Sequence, residues 1–102
     1  MHDVSLCPKY ERAFEILGKR WTGLIIKVMM DGPKRFSDIS SQIPHLSDRM
    51  LGERFKELEG LGIIKRNVYP ETPVRIEYEL TVKGKALDNA LKEVQVWATK
   101  WM

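Results

Sequence analysis

The hydrophobic residues of this chain switch from helical to alternating spacing and back again, and that switch limits what the chain can fold into. Leu51, Phe55, Leu58 and Leu61 recur at helical intervals and make one buried stripe. From Ile63 to Tyr69 the sequence turns β-rich, and Val74, Ile76, Tyr78 and Leu80 then alternate with Arg75, Glu77 and Glu79, the period of a strand. Tyr69-Pro70-Glu71-Thr72-Pro73 joins the two β runs. Its two prolines remove backbone donors, so this stretch projects as a hairpin loop. Helical spacing returns at Leu87, Leu91, Val94, Ala98 and Trp101, in a last helix that Thr81 is expected to cap.

Upstream, the punctuation is equally clear. Pro8 to Leu17 reads as a short amphipathic helix stopped by Gly18, with Ala13, Phe14 and Leu17 on one face. Trp21 to Met30 is a more apolar helix ended by Asp31-Gly32-Pro33. A third helix begins after Phe36, with Ser37 as its expected N-cap, and runs to Ile43. Pro44-His45-Leu46 makes a tight turn, and Ser47 caps the helix that carries the Leu51 stripe. Leu46 and Leu51 are placed as a hydrophobic staple, and Gly62 supplies the stop. Three helices, the second and third joined by a tight turn, followed by a hairpin, predict an α+β, mainly helical fold. It is a winged helix-turn-helix with a β-hairpin wing and additional helices at both ends.

Length and composition fit one domain spanning residues 1–102. The longest apolar run, around Leu24 to Met30, is interrupted by Lys27 and falls short of a membrane span. A single cysteine excludes an intrachain disulfide, and with no apolar leader the expected location is cytoplasmic. Net charge is +3, and between Lys19 and Arg75 eleven Lys/Arg face seven Asp/Glu, so the basic excess sits in the middle of the chain. That distribution suits a polyanion.

In a winged helix-turn-helix the second helix of the pair enters the major groove of double-stranded DNA, its N-terminal residues facing base edges. Those residues here are Ser47, Asp48 and Arg49, with Glu53 and Lys56 further along. Arg49 offers a two-pronged donor to guanine, and Asp48 or Glu53 an acceptor for cytosine. The acids repel phosphate, so they select sequence instead of adding general affinity. Lys34, Arg35 and Ser37 lie at the start of the preceding helix, where a phosphate can be held. Arg75, beside the hairpin loop, is placed to reach the minor groove.

Cys7 stands directly before Pro8, at the N-cap of the first helix. A thiol there faces unpaired backbone N–H groups and the positive end of the helix dipole, with Lys9 two positions on; both favour the reactive thiolate. The terminal helices carry more apolar surface than one domain covers. Tyr10, Phe14, Leu91, Val94, Trp97, Ala98 and Trp101 are therefore assigned to a homodimer interface. His2 and His45 are the only histidines and make no catalytic constellation with Cys7, so neither enzyme activity, a metal site nor a cofactor is expected.

Several blocks together carry a family resemblance. Gly18-Lys19-Arg20-Trp21, Gly32-Pro33-Lys34-Arg35-Phe36, Leu46-Ser47, Met50-Leu51, Arg54, Tyr69 to Tyr78, Leu80-Thr81 and Lys83-Gly84 resemble the HxlR-type, MarR-like transcriptional regulators over nearly the whole chain. The resemblance implies a homodimeric winged-helix repressor on an inverted-repeat operator. The Cys-Pro opening and Trp97-Ala98 are most similar to the YodB and CatR branch, which implies sensing of quinones and thiol oxidants through Cys7. That branch can carry a second cysteine near the C-terminus, where this chain has Trp101 and Met102. Oxidation of Cys7 is then expected to give an intersubunit Cys7–Cys7′ disulfide, a mixed disulfide with a small thiol, or a quinone adduct. Two other readings stay open: control by a non-covalent ligand or by abundance, with Cys7 structural, and a winged helix serving as a protein-interaction module.

Overall fold

A computed structural model describes residues 7–102. In chain order the elements are α1 (Pro8–Leu17), α2 (Thr22–Met29), α3 (Phe36–Gln42), α4 (Asp48–Gly60), β1 (Ile64–Tyr69), β2 (Arg75–Leu80), α5 (Val82–Lys85) and α6 (Asp88–Trp101). α3 and α4 form the helix-turn-helix, and β1 and β2 pair antiparallel from Ile64↔Leu80 to Tyr69↔Arg75 as the wing. The expected fold is the observed one.

Local chemistry sets most of the boundaries. Ser47 accepts the Met50 N–H at 3.1 Å and caps α4, and the staple residues Leu46 and Leu51 are both buried. Gly62, at φ 73°, takes the left-handed conformation that ends α4. Two expected helix starts move. α2 begins at Thr22 because Trp21 takes a left-handed φ of 78°, with the Arg20 guanidinium 4.5 Å over its ring. α3 begins at Phe36, so its N-cap is Arg35 and not Ser37. The Arg35 N–H donates to the Asp38 carboxylate at 2.9 Å, which leaves Ser37 exposed in the first turn.

The core is built from Ile25, Ile26 and Met29 of α2, Ile39 of α3, Ile43 and Leu46 of the turn, Leu51, Phe55 and Leu58 of α4, and Ile63, Ile64 and Leu80 at the base of the wing. Phe55 sits between the rings of Phe36 (5.7 Å, edge-on) and Tyr78 (4.3 Å), joining the helix pair to the wing. Lys34, two residues before α3, adds an isolated antiparallel bridge to Tyr78, its N–H and C=O bonding at 2.9 and 2.7 Å. Beyond that base the wing is a thin ribbon. Its alternation buries no second face, and only Leu80 of β2 is fully inside.

The single last helix expected after Thr81 is two. Thr81 does cap a helix, accepting the Gly84 N–H at 3.2 Å, but α5 ends after one turn and α6 starts afresh at Asp88. The break turns Leu87 and Leu91 onto the core while Gly84 lies flat against the Ile63 carbonyl. A second tie crosses the other side of α4. The Arg54 guanidinium donates to the Arg20 carbonyl (3.0 Å) and to Glu57 (3.2 Å), and Lys19 meets Glu57 at 2.7 Å. These bonds bind the α1–α2 junction to α4 and hold the Glu57 carboxyl below its ordinary range, the Lys19 hydrogen bond being the largest cause.

Two outcomes are expected. Gly84→Ala drives a Cβ into the Ile63 carbonyl and should cost about 1–3 kcal/mol of stability. Gly52→Ala, in the open interior of α4, should instead gain about 1 kcal/mol, both read by urea denaturation. The Glu57 contribution is present above its unfolded pKa near 4.5 and is lost as pH falls through its lower folded value. Glu57→Gln should therefore flatten the acid limb of the stability curve below about pH 4.5 and leave the limb above neutrality unchanged.

Candidate nucleic-acid interface and cysteine site

The exposed face of α4 starts at its cap. Ser47, Asp48, Arg49, Glu53 and Lys56 are all solvent-exposed. Arg49 is wide open, its side chain 90% accessible, and Glu53 lies 3.6 Å away, a loose contact easily exchanged for a better partner. Asp48 is held more firmly, because the Ser40 hydroxyl of α3 donates to its carboxylate at 2.7 Å. Asp48 thus fixes the angle between the two helices as well as facing outward. Arg35 and Ser37 are exposed at the start of α3.

Two of the sequence-identified cations are already engaged. Lys34 is mostly covered, and its ammonium meets Asp31 at 2.8 Å, a hydrogen bond that pulls the Asp31 carboxyl below its usual range. Arg75 lies over the Tyr69 ring at 4.0 Å and bonds Glu71 (3.1 Å) and Glu77 (2.8 Å). The two carboxylates raise its pKa and Arg75 in turn lowers that of Glu71, so the guanidinium braces the root of the hairpin loop. Sequence reading missed Arg66, which is exposed on β1 opposite Tyr78. Its neighbour Lys65 is spoken for by Glu79 at 3.2 Å. The signal was the Lys65-Arg66 pair in a strand whose outer face has no core to meet.

Cys7 occupies the N-cap of α1, as expected, with Pro8 at the first helical position. Its carbonyl accepts the Glu11 N–H at 3.0 Å, but the thiol takes no hydrogen bond from the first turn and is exposed. The expectation that backbone N–H groups receive the sulfur is therefore corrected: none of them donates to it. No residue of α1 is fully buried, although Ile16 and Leu17 pack against the core, and the tilted Tyr10 and Phe14 rings meet at 4.9 Å on its open side. Tyr10, Phe14, Val94, Trp97 and Trp101 are each more than half exposed, while Leu91 and Ala98 are half-buried and Leu91 packs on the chain's own core. Leu24 of α2 is open too and shares a groove with α6. No described helix is long and apolar enough to cross a membrane.

A helix pair with an outward polar face on its second member, backed by a hairpin wing, defines a winged helix-turn-helix protein. The HxlR-like helix-turn-helix family model matches residues 16–102, and the chain belongs to that family of transcriptional regulators, which is not enzymatic. It is 53% identical over 102 residues to the HTH-type transcriptional regulator YvaP of Bacillus subtilis, covering all of this chain and 94% of that protein. The reduced form of the regulator YodB from B. subtilis superposes with a TM-score of 0.87 at 56% identity, covering 95% of each chain. Quinone-bound YodB matches at 0.83 and 51% identity, over 94% of this chain and 100% of that one.

The different environments of Arg49 and Lys56 make a paired test. Arg49→Ala should relax selection at one base position at a cost of about 1–3 kcal/mol there. Lys56→Ala should weaken all sequences alike and lower the salt slope by about 1, as fluorescence anisotropy on a set of duplexes would show.

Proposed function

We propose that this protein is a homodimeric repressor that binds an inverted-repeat operator and releases it when Cys7 is modified by a quinone or a thiol-oxidising compound. The observation that carries this reading is an exposed thiol at the start of a helix with no fully buried residue. It stands in a chain closely similar to a regulator solved both reduced and with a quinone bound.

The DNA surface comprises Arg35, Ser37, Ser47, Asp48, Arg49, Glu53 and Lys56, with Lys34 and Arg75 contributing through the wing they brace. Two copies joined through Tyr10, Phe14, Val94, Trp97, Ala98 and Trp101 would set the two α4 helices about 34 Å apart, one turn of duplex. The elongated shape supports such a partner. The radius of gyration is 15.6 Å, against about 13 Å for a compact chain of this length. The protein would act in the cytoplasm, where thiols are kept reduced until an electrophile arrives.

The chemistry at Cys7 needs no other residue. Its sulfur adds to a ring carbon of the quinone, and the thiol proton together with the displaced ring proton passes to the two carbonyl oxygens, giving a hydroquinone thioether. Alternatively, two Cys7 thiols of a dimer are oxidised to one disulfide while a diazene oxidant takes up both protons and both electrons as a hydrazine. Either product adds bulk or a tether where α1 leaves the body, and the subunits reorient as rigid units.

Cys7→Ser should bind operator DNA as well as the parent chain but stay bound after diamide or benzoquinone. Intact mass and non-reducing electrophoresis of the treated parent chain should show the adduct or the crosslinked dimer. Release of Cys7→Ser at the same dose, or an unmodified parent chain released from DNA, would overturn the reading.

A further inference from the structure

Two carboxylates stand on the open face of α4, and they are held differently. Glu53 lies 3.6 Å from the Arg49 guanidinium of its own helix, so a base that draws Arg49 away leaves it free to swing. Asp48 is tied to another helix: the Ser40 hydroxyl of α3 donates to Asp48 Oδ1 at 2.7 Å, across the turn of the helix pair. Among the described residues Asp48 forms no ion pair, and no hydrogen bond reaches its second oxygen, Oδ2. Ser40 is well placed to hold it. It is half-buried beside Ile39, whose side chain lies wholly in the core, so packing sets its position. The next serine behaves otherwise. Ser41 turns its hydroxyl back onto α3, donating to the Asp38 carbonyl at 2.9 Å, the local bond that helical serines commonly make.

A carboxylate only accepts hydrogen bonds. In the major groove cytosine offers its N4 amino group with no acceptor beside it, whereas adenine N6 sits next to N7, and guanine and thymine turn carbonyl oxygens outward. A fixed carboxylate is therefore satisfied by cytosine and is left desolvated and repelled by the other bases. Immobility is what makes that penalty. A carboxylate free to rotate swings away from a wrong base, stays in water and rejects nothing.

We propose that Ser40 is a positioning residue that makes Asp48 a reader of cytosine. Its hydroxyl holds Asp48 Oδ1 against α3 and leaves Oδ2 for the N4 amino group of one cytosine in each half-site. This rests on the DNA-binding reading given above, and it assigns to Asp48, not to Glu53, the acceptor role that either acid could fill. Ser40 itself touches no base. It lies on the helix that supports α4, and it acts by denying one side chain the freedom to turn away.

The test is selection from duplexes with a randomised centre, using the reduced full-length chain, followed by fluorescence anisotropy on the enriched duplex and its single-base variants. The parent chain should favour C·G over T·A by about tenfold at one position of each half-site. Asp48→Asn should shift that position toward adenine, which pairs with an amide through N6 and N7. Ser40→Ala should reduce the cytosine preference to about twofold there, leave the other positions as they were, and keep thermal unfolding unchanged. Ser40→Thr, which retains the hydroxyl, should restore the preference. Uniform weakening of all sequences by Ser40→Ala would mean that the bond only sets the angle between α3 and α4, and would overturn the proposal. So would a cytosine preference that survives Ser40→Ala, or one that Glu53→Gln abolishes and Asp48→Asn does not. A parent chain that enriches no sequence would overturn the DNA-binding reading, and this assignment with it.

Discussion

The turn from α4 into the wing is the junction on which the rest of the structure depends. At Gly62 and Ile63 the recognition helix stops, β1 begins, and β2 returns to hand the chain to α5. The Ile63 N–H goes back to the Leu58 carbonyl at 2.9 Å, and the Ile63 carbonyl accepts the Thr81 N–H at 3.0 Å. The Thr81 hydroxyl reaches the Gly62 and Ile63 carbonyls while capping α5. Lys83 closes the last turn of α4, and Gly84 lies where no larger residue fits. The orphan carbonyls at the end of one helix and the orphan amides at the start of another are thus satisfied within a few residues. Helix, wing and C-terminal segment share these bonds, so backbone pairing at Ile63, with the Thr81 hydroxyl and the Lys83 ammonium beside it, holds the wing against α4.

That economy leaves a small core and an unfinished exterior. The buried hydrophobic side chains come from α2 to β2, and neither α1 nor α6 contributes one. A chain of this length buries only about two-thirds of its surface, so apolar side chains left on its outer helices are a cost that association can remove. The exposed aromatic residues sit on these two helices, and the one cysteine begins the first of them. A weakly packed α1 is the element with least to lose when it moves, and on the proposed function that is where a chemical change at Cys7 would act.

What was legible in the sequence was whatever is settled by neighbours along the chain. Ser47 with Leu46 and Leu51, Gly62, Thr81 and the proline-rich loop announced themselves because caps, staples and stops need only a few adjacent residues. The misses have long-range causes. Lys34 became a bridge residue through a partner far along the chain, Tyr78. The helix after Thr81 broke because Leu87 and Leu91 had to turn onto a core whose position no local pattern states. Ser37 lost its cap to Arg35 because Asp38, three residues on, accepts the Arg35 N–H, and a carboxylate at that position competes well for a free amide. Arg75 looked like a free basic tip, yet Glu71 and Glu77 flank it in sequence and the hairpin brings both to it.

Charge commitment sharpens the account of the DNA face. Counting cations overstates what the surface offers, since Lys34, Lys65 and Arg75 are paired within or beside the wing. The residues left open at the helix pair are Arg35, Arg49 and Lys56, and they are interleaved with Asp48 and Glu53. Phosphate attraction is correspondingly modest, and wrong sequences meet carboxylates that they cannot hydrogen-bond. A surface of this kind gains little from non-specific contact. In the dimer proposed above, affinity would come from matched bases and from two half-sites engaged together, so a change in how two subunits are set against each other would remove more binding than the loss of any single contact.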